Sequence, residues 1–227
     1  HDLHFDSMQN FESEARKKRY EAIFSYMNSG DILLLGHHAD DQVENVLINL
    51  FKGRGINGLT SLQEKNIHSN GVVLYRPLIH TNKEDIIAYL NNQEISFIHD
   101  ESNDSSDYDR NFIRNKVIPL LLERFKPLKR SILSVHKALT NSRIVMEELI
   151  DAKINDISEN GEVDVTQFNS LSVETRTEIT INLLRRAGCY TYNQKVLKEF
   201  ISQAENIQKN GGVCEENNIF KNISIYK

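Results

Sequence analysis

The sequence predicts an α/β domain on a parallel sheet, followed by a long connector helix and a small α+β domain. Three observations predict this. Short continuous apolar runs, at 31–35 and 72–75, alternate with segments whose apolar residues recur at helical spacing. The character changes at Pro127, after which one helical pattern runs from Leu128 to Ile154. Finally, 227 residues with 39% hydrophobic and 26% charged content give an ordinary globular chain long enough for one to two domains. The boundary belongs near 125–129, giving domains of 1–127 and 128–227.

Phe11 to Met27 reads as a helix. Phe11, Ala15, Ala22 and Tyr26 form its stripe, widened by Ile23 and Met27, and Gly30 ends it. Asp31–Leu35 reads as a buried parallel strand. Asp40 or a neighbour caps the next helix, in which Val43, Val46, Leu47, Leu50 and Phe51 make the inward stripe. Lys52 and Gly53 close it. Val72–Tyr75 is a second buried strand, stopped by Pro77. Asn82–Asn91 is a helix with Ile86, Ile87 and Leu90 inward, and Ile95–Ile98 is a weaker strand. After a polar loop at 100–107 comes a helical pair whose second member Pro119 opens. Glu162–Val165 reads as a strand, Ser172 caps a helix ending at Gly188, Asn193–Asn206 is another helix, and 213–226 suggests short strands.

Composition excludes several classes. No apolar run is long enough to span a bilayer, and no secretory pattern opens the chain. Cys189 and Cys214 are too few and too distant for a disulfide framework or a Cys-x-x-Cys site, so a reducing cytoplasm is the expected setting. A net charge of −5 argues against nucleic-acid binding through bulk charge and leaves room for a local basic groove.

The densest chemistry is Gly36-His37-His38-Ala39-Asp40-Asp41-Gln42-Val43-Glu44, at a strand-to-helix turn. Helix N-termini suit phosphate, and carboxylates beside them suit Mg²⁺. Asp41 and Glu44 lie one turn apart, opposite the apolar stripe, where they can bind a metal or accept a proton. For any one residue the capping reading is preferred. For the whole cluster a site is preferred, because open sheets place ligands at such turns. In the first helix Arg19 projects inside the apolar stripe, with Arg16 at its edge. An arginine there needs an anion or a set of acceptors, or else it is a structural pair or a snorkelling stem. Arg110 and Arg114, four apart, point the same way and suit phosphate or RNA backbone, the alternative being a solvated basic face. Gly53-Arg54-Gly55-Ile56-Asn57-Gly58 lets backbone approach a ligand, or is a cap and turn. His68, His80, His99 and His136 show no ligand spacing.

Taken in order, the motifs resemble one family: Ala15 to Tyr20, His37 to Glu44, Gly53 to Leu59, Arg76 to Leu78, Asp100 to Asn103, and Tyr108 to Leu121 are similar to the set found in tRNA(Ile)-lysidine synthetases. The resemblance covers most of 11–125, and 163–226 looks like that family's small substrate-binding domain. It implies a PP-loop ATP-pyrophosphatase fold, adenine nucleotide alpha hydrolase-like. It also implies a carbon–nitrogen ligase. ATP adenylates the 2-carbonyl oxygen of the wobble cytidine in an isoleucine tRNA with a CAU anticodon, and the amine of free lysine displaces AMP. The implied cofactors are ATP and Mg²⁺, and a homodimer is compatible.

Carried onto this chain, Asp41 and Glu44 organise Mg²⁺, cytidine or lysine, with His37 and His38 lining the pocket. Arg16, Arg19, Arg110 and Arg114 hold phosphates of ATP or tRNA, Arg54 meets RNA, and Asn103 and Asn111 join this nucleotide- and tRNA-binding set. The family's Ser-Gly-Gly-x-Asp-Ser loop does not occur here; the one Gly-Gly is Gly211-Gly212. The expectation is therefore a fragment whose first strands lie upstream of His1 and which does not hydrolyse ATP productively alone, with the family's further C-terminal domain also missing after Lys227.

Three other readings compete. A sulfur-inserting tRNA thiolase of the same superfamily needs cysteines near the site, and the α/β half has none. A non-catalytic RNA-binding module would rest on the basic segment 110–130. A metal-dependent phosphohydrolase would need further His and Asp ligands.

Overall fold

The computed structural model describes residues 11–98, 108–159, 162–187, 194–210 and 225–226. These fall into two compact units, within 1–139 and within 140–227.

The first unit begins with α1 (Phe11–Phe24), β1 (Ile32–Leu34), α2 (Ala39–Phe51), α3 (Ile56–Leu59), β2 (Lys65–Ile67), β3 (Val73–Tyr75) and α4 (Lys83–Asn92). β1 and β3 pair in parallel, Ile32 opposite Val73, as the two apolar runs predict. β2 was not expected; it pairs antiparallel with β3, so the sheet is mixed, in the order β1-β3-β2. Its polar sequence Lys-Asn-Ile carries no alternation signal, and it exists because a tight turn folds it back. His68 donates to the Val72 carbonyl at 2.9 Å, and Gly71 sits at φ +86°. A Cβ on Gly71 would lie 2.1 Å from Ser29 Oγ, so both the dihedral and the space require glycine.

Two helical expectations shift. On α1 and the turn after it Ala15, Tyr20, Ile23, Phe24 and Met27 are half-buried, while Ala22 is exposed and Tyr26 is 89% exposed. Phe24 stacks on His68 at 4.1 Å, which turns the helix away from the stripe the spacing suggests. On α2, Val43, Val46 and Leu47 are buried, but Leu50 and Phe51 are exposed. Asn49 takes the inward place in the last turn, donating to the Gly58 carbonyl at 2.8 Å.

Ile95–Ile98 is not a strand. α4 ends in a Schellman turn, with Ile95 N–H on the Leu90 carbonyl and Glu94 N–H on Asn91. Glu94, at φ 55°, redirects the chain, and Ile98 is left 95% exposed.

The arginine-bearing segment is one continuous run: α5 (Asp109–Phe112), a π turn (Ile113–Val117) and α6 (Ile118–Arg124). Pro119 sits in the first turn of α6 without breaking the run, because Ile118 N–H bonds five residues back to the Ile113 carbonyl. Ile113 and Ile118 both pack on Val43 and Leu47, with Ile132 and Leu133 from α7 (Leu128–Asp156) against the same cluster. The first turns of α7 therefore belong to this unit, and contacts divide the chain within the helix rather than at its start.

The second unit holds the rest of α7, β4 (Ser158–Glu159), β5 (Glu162–Asp164), α8 (Val165–Asn169), α9 (Val173–Arg186), α10 (Gln194–Asn210) and β6 (Ile225–Tyr226). β5 pairs antiparallel with β4 and parallel with β6. Ile154, Ile157, Val163, Phe168, Ile179, Phe200 and Ala204 form its core. Asp164 caps α8 and Ser172 caps α9, each accepting from first-turn amides. The strands expected over 213–226 lie outside the described residues apart from β6. No helix among the described residues is long and apolar enough to cross a membrane.

Candidate functional site

The carboxyl ends of the parallel pair β1 and β3 meet at one place, and the chemistry gathers there. After β1 the chain turns through Gly36, His37 and His38 into α2. The Ala39 amide donates to the Thr81 carbonyl at 3.0 Å, and Asp41 Oδ2 accepts from the His38 amide at 2.9 Å. The α2 N-terminus is thus partly satisfied by the protein itself, and Asp40 and Asp41 place two carboxylates where an anion would otherwise go.

Glu44 is 1% exposed. Both its oxygens are occupied by Arg114, with Nε at 2.6 Å from Oε1 and Nη2 at 3.0 Å from Oε2. Arg110 Nε adds a contact to Oε2 at 3.4 Å, and Arg114 Nη2 lies 3.5 Å from Asp41 Oδ1. The hydrogen bond that Arg114 donates to Glu44 raises the Arg114 pKa, against the opposing effect of burial. The expected common direction of Arg110 and Arg114 is realised, but toward an internal carboxylate.

This bears on Mg²⁺. A hard cation needs several free oxygens, and both Glu44 oxygens already accept arginine N–H groups, while Asp41 Oδ2 accepts from the His38 amide. Among the described residues no group of three or more His, Cys, Asp or Glu side chains could hold a metal. The pairing of Asp41 with Glu44 as metal ligands does not fit this donor set. The His and Asp ligands that a metal-dependent phosphohydrolase would need are likewise not gathered there.

Asp40 faces elsewhere. Its Oδ1 meets Lys129 Nζ at 2.5 Å and its Oδ2 accepts from the Lys83 amide at 2.9 Å, tying α2 to the starts of α7 and α4. Burial raises its pKa, but the bonds from Lys129 and Lys83 outweigh that and hold it below the usual range.

His37 is half-buried, and its Nδ1 is sealed from water with no hydrogen-bond partner. Burial lowers its pKa to about 4; Asp41 opposes this, and Arg76, Arg16 and Arg110 add to it. It is therefore neutral at neutral pH. The residues acting on it come from α1, β3's end, α2 and α5: Arg16, Arg76, Asp41 and Arg110. His38 points at the acids, with Nε2 3.5 Å from Asp41 Oδ2.

Arg19 is corrected: it is exposed, not inside an apolar stripe, and its guanidinium lies 5.9 Å from the Tyr20 ring. Arg16, also exposed, lies 5.3 Å from the same ring. Arg54 is exposed on the turn after α2, beside Gly58. Asn111 is buried on α5, and Asn103 lies outside the described residues. Sequence reasoning missed two residues as site members. Arg76, 5% exposed, follows β3 directly, and a charge at the carboxyl end of a parallel strand was the available signal. Lys129 carried no signal, since it opens a helix remote in sequence.

With this geometry in view, comparisons place the chain among known proteins. The model of the PP-loop domain family matches residues 2–121. Curated relatives named tRNA(Ile)-lysidine synthase are similar to it. The Haemophilus ducreyi protein is 34% identical over 169 residues, covering 74% of this chain and 39% of that one. The Wigglesworthia glossinidia brevipalpis protein is 36% identical over 157 residues (68% and 38%), and that of Vibrio parahaemolyticus 38% over 148 residues (65% and 34%). The chain spans well under half the length of these relatives.

Proposed function

The chain belongs to the PP-loop domain family, and from that premise we propose that it is the catalytic and substrate-binding part of a tRNA(Ile)-lysidine synthetase. Residues 1–127 would supply the ATP-using domain and 128–227 the connector and a small tRNA-binding domain. The observation that carries the reading is that one carboxylate, Asp41, and the arginines Arg16 and Arg110 all act on one imidazole, His37, which is unprotonated at neutral pH and follows the carboxyl end of β1. The names of the curated relatives supply the reaction class.

In that reaction the 2-carbonyl oxygen of the wobble cytidine attacks the α-phosphorus of ATP and pyrophosphate leaves. The lysine amine then forms a bond to C2, the C2–oxygen bond breaks, and AMP departs with the electron pair. The amine must shed a proton, and His37, unprotonated at neutral pH, would receive it, with Asp41 beside it. Arg110 and Arg16 would stabilise negative charge on the departing phosphates. Glu44 would act by holding Arg114 and Arg110 in place. Exposed Arg19 and Arg54 would meet RNA.

The test is ATP-dependent incorporation of radiolabelled lysine into an isoleucine tRNA by a polypeptide carrying this chain, wild type and Asp41→Asn. Loss of incorporation with unchanged tRNA affinity is expected. Weakened tRNA binding with undiminished chemistry per bound tRNA would support an RNA-binding module instead.

A further inference from the structure

Arg76 is the most deeply buried guanidinium of the first unit's described residues, and no carboxylate among the described residues pairs with it. It is 5% exposed. Nη1 donates to the Gln63 carbonyl at 2.8 Å and to Asn66 Oδ1 at 2.7 Å, and both acceptors are neutral. Nε is sealed from water with no partner. Burial lowers its pKa; Tyr20 opposes this and the like charge of Arg16 adds to it. A buried arginine kept for structure is ordinarily matched by an acid, since removing an unneutralised charge from water costs several kcal/mol. Its two bonds tie the end of β3 to 63–66, but a neutral donor could make them, and the charge itself meets no acid among the described residues.

The surroundings sharpen the question. Arg16, Arg110 and Arg76 all act on His37, against one acid, Asp41. Glu44 is already occupied by Arg114 and Arg110. A chain with net charge −5 thus gathers three arginines, Arg16, Arg76 and Arg110, around one imidazole near the carboxyl edge of its sheet.

We propose that Arg76 is a further ligand-binding residue, the floor of an anion pocket completed by Arg16 and Arg110, and that it takes a phosphate oxygen from the polyphosphate of a nucleoside triphosphate. Its burial, at 5% exposure, favours the end of a polyphosphate tail over an RNA backbone running across the surface. Guanidinium–phosphate bonds are charge-assisted, and a bound anion supplies the partner the fold leaves out. The inference rests on the ATP-using part of the reading above and is independent of lysine and tRNA.

The test uses the full chain with inorganic pyrophosphate and tripolyphosphate as probes, followed by calorimetry, with a short oligoribonucleotide lacking terminal phosphates as a second arm. Arg76→Gln should weaken polyphosphate binding at least about tenfold. Lys65→Gln, which removes an exposed charge from β2, should leave it unchanged. A second measurement needs no variant: saturating pyrophosphate should raise the NMR-detected pKa of His37, because an anion among the arginines favours the imidazolium.

The proposal is overturned if folded Arg76→Gln binds pyrophosphate as well as wild type, or if His37 does not move when pyrophosphate is added. It is equally overturned if the wild-type chain binds only the oligoribonucleotide. Arg76-dependent polyphosphate binding in a protein that makes no lysidine would sink the functional reading and leave this inference standing. Lysidine synthesis indifferent to Arg76 would do the reverse.

Discussion

Replacing Glu44 and Arg114 singly and together tests whether the heart of the site is a coupled pair. Glu44 is 1% exposed and accepts two bonds from Arg114, at 2.6 and 3.0 Å. Breaking a buried pair by removing one partner costs about 3–5 kcal/mol, because the survivor is left charged in a poor solvent. Arg114 keeps 24% side-chain exposure and Glu44 only 2%, so Glu44→Leu falls at the low end, about 3 kcal/mol, and Arg114→Met at or slightly above it. Arg110, 3.4 Å from Glu44, softens the second loss without abolishing it. In the double variant neither charge is stranded, and the total should be about 3 kcal/mol rather than the ~6 kcal/mol that independence requires. The assay is urea unfolding read by hydrogen exchange at the α2 amides, which reports on the first unit whatever the second does. If the double variant equals the sum of the singles within about 0.5 kcal/mol, the pair is not coupled and the argument for Glu44 as the arginines' anchor fails.

Three further outcomes follow from particular residues. The folded pKa of His37, about 4, lies below its unfolded value near 6.5, so between those values the unfolded chain binds more protons. Stability attributable to His37 is intact above pH 6.5 and falls as pH drops toward 4. The full gap is worth ~3 kcal/mol, and half-exposure reduces it to about 1.5 kcal/mol. Urea midpoints measured from pH 7.5 to 4 should show that loss in wild type and not in His37→Gln. Glu94→Gly relieves a residue held at φ 55° in the Schellman turn after α4, so a gain of about 0.5–1 kcal/mol is expected in thermal unfolding. Phe168→Ala empties a 1% exposed site packed edge-on against Phe200 at 6.3 Å. It should cost about 3–5 kcal/mol, seen by calorimetry as loss of the second unit's transition.

What the sequence disclosed depended on whether a signal was local and periodic. The parallel pair, α2, α4, the long α7 and the Ser172 cap were legible because apolar spacing and capping residues act within a few positions. β2 was not, since its place is set by the Gly71 turn rather than by any pattern of its own. The rotation of α1 was not, because one aromatic contact, Phe24 on His68, decides which face turns inward. At the site, residue types were legible and pairings were not. Asp41 and Glu44 look equivalent on a helical wheel, yet one turns back onto the His38 amide and the other is taken up by arginine from a segment some seventy residues away. Arg76 went unassigned for the same reason: burial, unlike charge, is a property of the fold.

The π turn explains how one short helix serves both core and site. In a regular α-helix, residues five apart are offset by about 140°, so Ile113 and Ile118 could not share a face. Pro119 offers no amide, and the Ile118 amide reaches back to Ile113 instead, widening the turn by one residue. Both isoleucines then pack against Val43 and Leu47, at 4% and 7% exposure. Arg110 and Arg114, four apart and straddling the start of that turn, are left to reach the next turn of the same α2 surface, where Glu44 sits one residue from Val43. The apolar seam thus sets the register of the arginines. Any change that restores regular α geometry between 113 and 118 must move either the isoleucines out of the core or the guanidiniums off Glu44, which ties the stability of the first unit to the geometry of its charges.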